Sequence, residues 1–135
     1  MLKRGIDAII VDDQLEVCEV VSDYLEEMSL FRKIVHAEDG ITASFKLKNQ
    51  DFSVIILDIN LPKKSGIDII TQNADNPKII ESIILISGAM EKDHLDKAVK
   101  AGVRNILIKP FAKEQLQIIA KQVAHNYKTR YFKNK

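Results

Sequence analysis

Five short apolar runs punctuate the chain: Ala8 to Val11, Lys33 to His36, Ser53 to Leu57, Ile83 to Ile86 and Asn105 to Ile108. They are rich in β-branched residues and mostly continuous rather than alternating. Runs of this kind suit strands buried on both faces, as in a parallel sheet. Helix-length segments separate them. Leu15, Cys18, Val21, Leu25 and Met28 recur at steps of three and four and make one apolar stripe, as do Leu116, Ile119, Ala120, Val123 and Tyr127. Leu95, Ala98 and Val99 mark a shorter helix that Gly102 would stop. Asp39 to Gln50 and Gly66 to Asn73 read as helices partly because parallel strands need a crossover there, and Asp75-Asn76-Pro77 reads as a surface loop. A β-α unit repeated five times implies an α/β fold, a parallel sheet with helices on both faces.

Composition narrows the class. The 135 residues suit one domain, and a net charge of +1 argues against a dedicated nucleic-acid binder. A single cysteine, Cys18, excludes an internal disulfide and fits a reducing compartment. No apolar run approaches the roughly 20 residues of a membrane span, and the basic N-terminus lacks the apolar stretch of a signal peptide. A cytoplasmic protein with no membrane span is expected. Lys121 to Lys135 carries five basic residues and no acid, the mark of a solvated helix end and tail.

The informative residues follow the runs: Asp12-Asp13 after the first, Asp58 after the third, Ser87 after the fourth and Lys109-Pro110 after the fifth. In open parallel sheets, ligands bind beyond the carboxyl ends of the strands, where the strand order reverses. Each residue alone has an ordinary explanation. Asp12 or Asp13 suits a helix cap, Asp58 a turn toward Pro62, Ser87-Gly88 a loop and Lys109 the solvent. Their joint placement at one end does not. Converging carboxylates repel unless a cation sits among them, and no His or Cys stands at these strand ends. Hard oxygen ligands favour Mg²⁺ over Zn²⁺ or copper. Lys109 suits a phosphate oxygen and Ser87 offers a hydroxyl, so the set fits phosphoryl transfer onto an aspartate.

Ile9-Ile10-Val11-Asp12-Asp13, Ile56-Leu57-Asp58-Ile59-Asn60-Leu61-Pro62, Gly66, Ser87-Gly88-Ala89 and Leu107-Ile108-Lys109-Pro110-Phe111 resemble the receiver domain of bacterial two-component response regulators, in particular single-domain chemotaxis-type receivers. The likeness runs from about Ile6 to Tyr127. It implies a doubly wound five-stranded sheet in the flavodoxin-like order 2-1-3-4-5, with a receiver domain over residues 1–128 and a basic tail over 129–135. It also implies that Asp58 is the phosphoacceptor, fed by a sensor histidine kinase or phosphotransfer protein in a phosphorelay. Asp12, Asp13, Asp58 and the backbone carbonyl of Asn60 would hold Mg²⁺, with Asp12 acting largely through water. Lys109, before a cis peptide, would hold a phosphate oxygen. Ser87 would swing to the phosphoryl group, and Asn60 and Ala89 would tune its hydrolysis. A downstream protein would read the phosphorylated state.

Two departures stand out. The family usually has Tyr or Phe three residues before the lysine, where this chain has Ile106, so a response through loop and helix shifts is expected. About eight residues follow the last helix, which suits a stand-alone receiver or a piece of a longer chain. A haloacid dehalogenase-type phosphatase would need a second acid at Asn60. A degenerate receiver that only binds partners would usually lack the acids or the lysine. A flavodoxin-like FMN carrier would not place Asp12-Asp13 at a phosphate loop. Of the remaining residues, Cys18 is expected to be buried, while His36, His94 and His125 are scattered. Lys63 and Lys64 read as a solvated loop pair, and Phe31, Phe45, Phe52 and Phe111 read as core or hinge packing.

Overall fold

The computed structural model describes residues 6–88 and 92–132. Ala89 and the last three residues of the tail lie outside them. The strands are β1 (Ile6–Val11), β2 (Phe31–Ala37), β3 (Val54–Asp58), β4 (Ile83–Ser87) and β5 (Asn105–Ile108). The helices are α1 (Leu15–Glu26), α2 (Gly40–Asn49), α3 (Gly66–Gln72), α4 (Pro77–Ile80), α5 (Lys92–Ala101) and α6 (Lys113–Tyr131). All strand pairs are parallel, in the order β2-β1-β3-β4-β5.

The period-two geometry of a strand splits the apolar runs between two cores. Ala8, Ile10, Val54, Ile56, Ile84 and Ile86 face α1 and α6, where Cys18, Val21, Leu25, Leu116, Ala120 and Val123 meet them. Ile9, Val11, Ile55, Leu57, Ile83 and Leu85 face the other way, against Ala43 and Leu47 of α2, Ile67 and Ile70 of α3 and Ala98 of α5. β1, β3 and β4 are buried throughout, as continuous apolar runs require. The two edge strands are not: Arg32, Lys33 and His36 of β2 and Ile108 of β5 are exposed. Double-sided burial therefore holds for the three inner strands alone, and the charges on β2 discourage edge-to-edge pairing.

Some helix readings shift. Leu15 is 57% exposed and Val99 56%, so the apolar stripe of α1 begins at Cys18 and that of α5 rests on Leu95 and Ala98. Phe45 is 68% exposed and does not pack in a core, whereas Phe52 does. The turn signal at Asp75-Asn76-Pro77 leads into α4, where the Asn76 side chain accepts from the Ile79 N–H and Pro77 occupies the first turn. Asn and Pro signal a helix start as readily as a loop.

At the amino end of the sheet, Asp7 is buried among polar partners. Arg32 reaches it through Nε (3.1 Å) and Nη2 (2.8 Å), and Gln50 through Nε2 (3.1 Å). Burial pushes the carboxyl upward, but these donors and the nearby charges outweigh it, and the net pKa lies below the usual carboxylate range. A group with a depressed folded pKa adds stability above its unfolded pKa, and that stability is lost as pH falls through the folded value. Asp7→Asn is therefore expected to cost about 2 kcal/mol at pH 7. In urea unfolding, the gap from wild type should narrow once the pH drops below about 4.

Candidate phosphoacceptor site

Strand order reverses at β1, because the chain runs from β1 outward to β2 and then returns to β3 on the opposite edge. The crevice between the carboxyl ends of β1 and β3 is thus the switch point of the sheet. Asp12 follows β1 and its N–H bonds Ala37 O of β2 at 3.1 Å; Asp58 ends β3 in register with Ile86. Ser87 ends β4, and the Lys109 N–H bonds Ser87 O at 2.8 Å, carrying Lys109 alongside it.

The structure brings the three sequence-predicted acids together: one carboxylate oxygen from each of Asp12, Asp13 and Asp58 lies within 4.8 Å of the others. Asp12 and Asp58 are buried and Asp13 is exposed. Lys109 Nζ stands 3.1 Å from Asp58 Oδ2, while Asp58 Oδ1 accepts from the Asn60 N–H at 2.9 Å. Burial pushes Asp12 up to about 6, helped by the neighbouring Asp58 charge and opposed by the Gln14 N–H at 2.8 Å and by Lys109. Asp12 thus turns back on the start of α1 without being its N-cap, a position that Gln14 fills. Three carboxylates against one ammonium leave a formal charge of −2, the complement of one divalent cation.

Ser87 is fully buried and donates to Gly88 O at 2.9 Å, so its hydroxyl lies at the crevice without bonding Asp58. The Lys109–Pro110 peptide is cis. Ile106 is half-buried against the core on the α2, α3 and α5 side. Lys63 and Lys64 are not simply solvated. Lys63 lies 3.7 Å from Asp39, and Lys64 Nζ donates to Gln72 Oε1. His36 is exposed on β2 and joins none of these contacts.

The sequence marked Gly66 as a motif position but not what it or Gly40 does for the loop that carries Asp58. A Cβ on Gly66 would stand 2.5 Å from Asp58 O, and one on Gly40 would overlap Lys64 O at 1.8 Å. Only glycine lets α2 and α3 start this close to the loop that carries Asp58. The Gly66 N–H also bonds Ile59 O at 3.0 Å, and the Gly40 N–H bonds Pro62 O at 3.2 Å. In between, Lys63 adopts a φ of 69°, which no residue-type signal marks. Cys18 Sγ donates to Asp12 O at 3.4 Å, tying α1 to the acid pair. A glycine directly after Asp39 was the available clue for Gly40.

A doubly wound parallel sheet whose switch point gathers carboxylates beside a lysine that reaches in from two strands away defines the class of aspartate-based receivers. Residues 8–121 match the response regulator receiver domain, and the chain belongs to that family. It is 32% identical to the chemotaxis protein CheY1 of Helicobacter pylori (strain J99) over 117 residues, spanning 82% of this chain and 94% of that protein. Identity to chemotaxis protein CheY-3 of Vibrio cholerae serotype O1 is 29% over 118 residues, 87% of this chain and 90% of that one. Among solved structures, the receiver domain of a putative Luxo repressor protein from Vibrio parahaemolyticus superposes with a TM-score of 0.83 at 21% identity, covering 94% of this chain and 95% of that one. CheY4 of Vibrio cholerae gives 0.76 at 23%, covering 89% and 99%. Phosphorylation on aspartate and Mg²⁺ binding through acidic residues are general properties of this family, as is interaction with histidine kinases or phosphotransfer proteins. No helix among the described residues is long and apolar enough to cross a membrane.

Two measurements probe this framework. Gly66→Ala is expected to cost about 1–3 kcal/mol in chemical unfolding, because the new methyl meets backbone that can move only with Asp58. Burial, with the nearby Asp12 charge, pushes the Cys18 thiol up to about 11. Ellman's reagent at pH 7.5 should therefore leave Cys18 unmodified in the folded protein and titrate one thiol in guanidinium.

Proposed function

We propose that this chain is a phosphorylation-dependent switch in which Asp58 accepts a phosphoryl group from the phosphohistidine of a sensor kinase or phosphotransfer protein. The observation that carries the reading is the pairing of buried Asp58 with Lys109 Nζ inside a cluster of three carboxylates. The residues present fit Mg²⁺: hard oxygen donors, a formal excess of two negative charges and no nitrogen or sulfur ligand in the cluster. Asp13 and Asp58 would hold the ion directly, Asp12 largely through water, and Asn60 through its backbone carbonyl. When bound, Mg²⁺ supplies positive charge to the phosphoryl oxygens.

The remaining work falls to the protein. The Asp58 carboxylate attacks phosphorus as the donor histidine nitrogen leaves. The Asn60 N–H on Oδ1 and Lys109 on Oδ2 fix the carboxylate plane for that approach. Once Asp58 carries the phosphoryl group as an acyl phosphate, Lys109 exchanges a carboxylate oxygen for a phosphoryl oxygen, and Ser87 gives up Gly88 O to donate to the same group. Because Ile106 has neither a hydroxyl nor a ring, the shift passes to α5 and the end of β5 through packing. The phosphorylated and unphosphorylated states then differ in affinity for a downstream protein, which is what lets one covalent group set an equilibrium. Asn60 two residues beyond Asp58 supports a switch over a phosphatase, since a carboxamide cannot exchange protons. Residues 1–128 form the receiver in this reading, with 129–135 a basic extension, in a cytoplasmic protein that binds no nucleic acid through this domain.

Intact-mass spectrometry after incubation with acetyl phosphate tests the assignment. Wild type should gain one phosphoryl group only when Mg²⁺ is present, and Asp58→Asn should gain none. Modification of Asp58→Asn to the wild-type level would overturn it.

A further inference from the structure

The two most exposed large apolar side chains among the described residues are Ile118, 70% exposed, and Phe45, 68% exposed. They stand on opposite faces of the sheet. Phe45 projects from α2, which packs on the core of Ile9, Ile55 and Leu85, whereas Ile118 belongs to α6, which packs on the core of Ile10, Ile56 and Ile84. Single exposed apolar residues are ordinary. These two differ in that the surroundings of one fit the other.

Phe45 is a knob. Ile41, four residues earlier and 58% exposed, shares its face of the helix. Lys46 and Lys48 flank the ring, and α2 contains no acid from Gly40 to Asn49. The acids that bracket the helix in the chain are engaged elsewhere, Asp39 by Lys63 at 3.7 Å and Asp51 by Lys78 at 3.1 Å. Ile118 is part of a hole. With Met28 and Leu30 it lines an apolar groove of about 410 Å³ between the end of α1 and α6, roomier than one phenyl ring. Gln117 at its edge is held by Tyr24 O and Glu27 Oε1, both at 2.9 Å, which fixes the two helices that form the groove. Glu114 and Lys121 also line it, about two turns apart with Ile118 between them. Only the Glu114 end is negative, and Glu114 has no ion-pair partner among the described residues.

We propose that the groove between α1 and α6 receives Phe45 of a second copy of this chain. The ring enters between Met28, Leu30 and Ile118, where a thioether adapts readily to an aromatic face. Lys48 of the entering helix meets Glu114, which sets its direction. The chain carries both halves of the contact. Because knob and hole point away from each other, a copy cannot fill its own groove, and one neighbour cannot satisfy both patches. The contact is therefore heterologous: each added copy leaves one free ring and one free groove, and association continues past the dimer. One buried ring and one exposed ion pair make it weak, with a Kd of about 0.1–1 mM. Neither patch includes a residue of the acidic crevice, so the contact is independent of phosphoryl transfer.

Sedimentation velocity of the whole chain from about 20 µM to about 1 mM tests this. The weight-average sedimentation coefficient should climb with concentration and not level off at the dimer value. Phe45→Ala and Ile118→Lys change exposed side chains, should keep the wild-type Tm, and should each sediment as a monomer. Mixed together they should form a dimer that grows no further, since Phe45→Ala retains only a working groove and Ile118→Lys only a working ring. A wild type that stays monomeric at about 1 mM overturns the proposal. So does wild-type self-association by either variant alone, or a mixture of the two that fails to pair.

Discussion

β1 carries neighbours on both edges, and each parallel crossover must leave a strand at its carboxyl end and return with the same hand. The chain therefore leaves β1 toward β2 on one side and leaves β3 toward β4 on the other, and the loops after β1 and β3 diverge. That divergence opens the crevice, and every residue assigned to the site owes its place to it. Asp12 and Asp13 lie on one wall, Asp58 on the other, and Lys109 arrives from two strands away because β5 hydrogen-bonds to β4 at Ser87. A sheet wound in one direction would put the same residues at the same strand ends without gathering them.

The gathering has an electrostatic cost that the local chemistry only partly offsets. Asp58 is stabilised by Lys109 and the Asn60 N–H, while Asp12, buried beside it, is pushed up to about 6. The crevice is thus held short of neutrality, with two acids shielded from water and a third at its mouth. That is the state a divalent cation would relieve, and it explains why a fold tolerates charge where burial alone would remove it.

Precision comes from backbone packing around the β3–α3 loop. Gly66 closes on Asp58 O, Gly40 on Lys64 O, and Ser65 caps α3 in a reciprocal bond with Asp68. The loop bearing Asp58 is clamped from the front by α2 and from behind by α3. It moves only if those helix starts move, which couples changes at Asp58 to helix positions rather than to a loose segment.

Much of this was legible in the chain. Continuous β-branched runs at β1, β3 and β4 announced buried parallel strands because such strands have no solvent face to mark with polar residues. The acids, serine and lysine were legible because they break those runs abruptly at the same end. Less legible were features that depend on what lies opposite: the exposure of Leu15, Val99 and Phe45, the edge character of β2 and β5, and the short helix after Asn76. Periodicity reports which residues share a face but not whether a partner covers it. By itself, then, the sequence determined the strands, the longer helices and the identity of the chemical groups, since these follow from local pattern and residue type. Only the tertiary structure decided the 3.1 Å pairing of Lys109 with Asp58, the contacts that forbid a side chain at Gly40 and Gly66, and the groove beside Ile118. Those depend on distances between segments far apart in the chain, which strand order and crossover packing set.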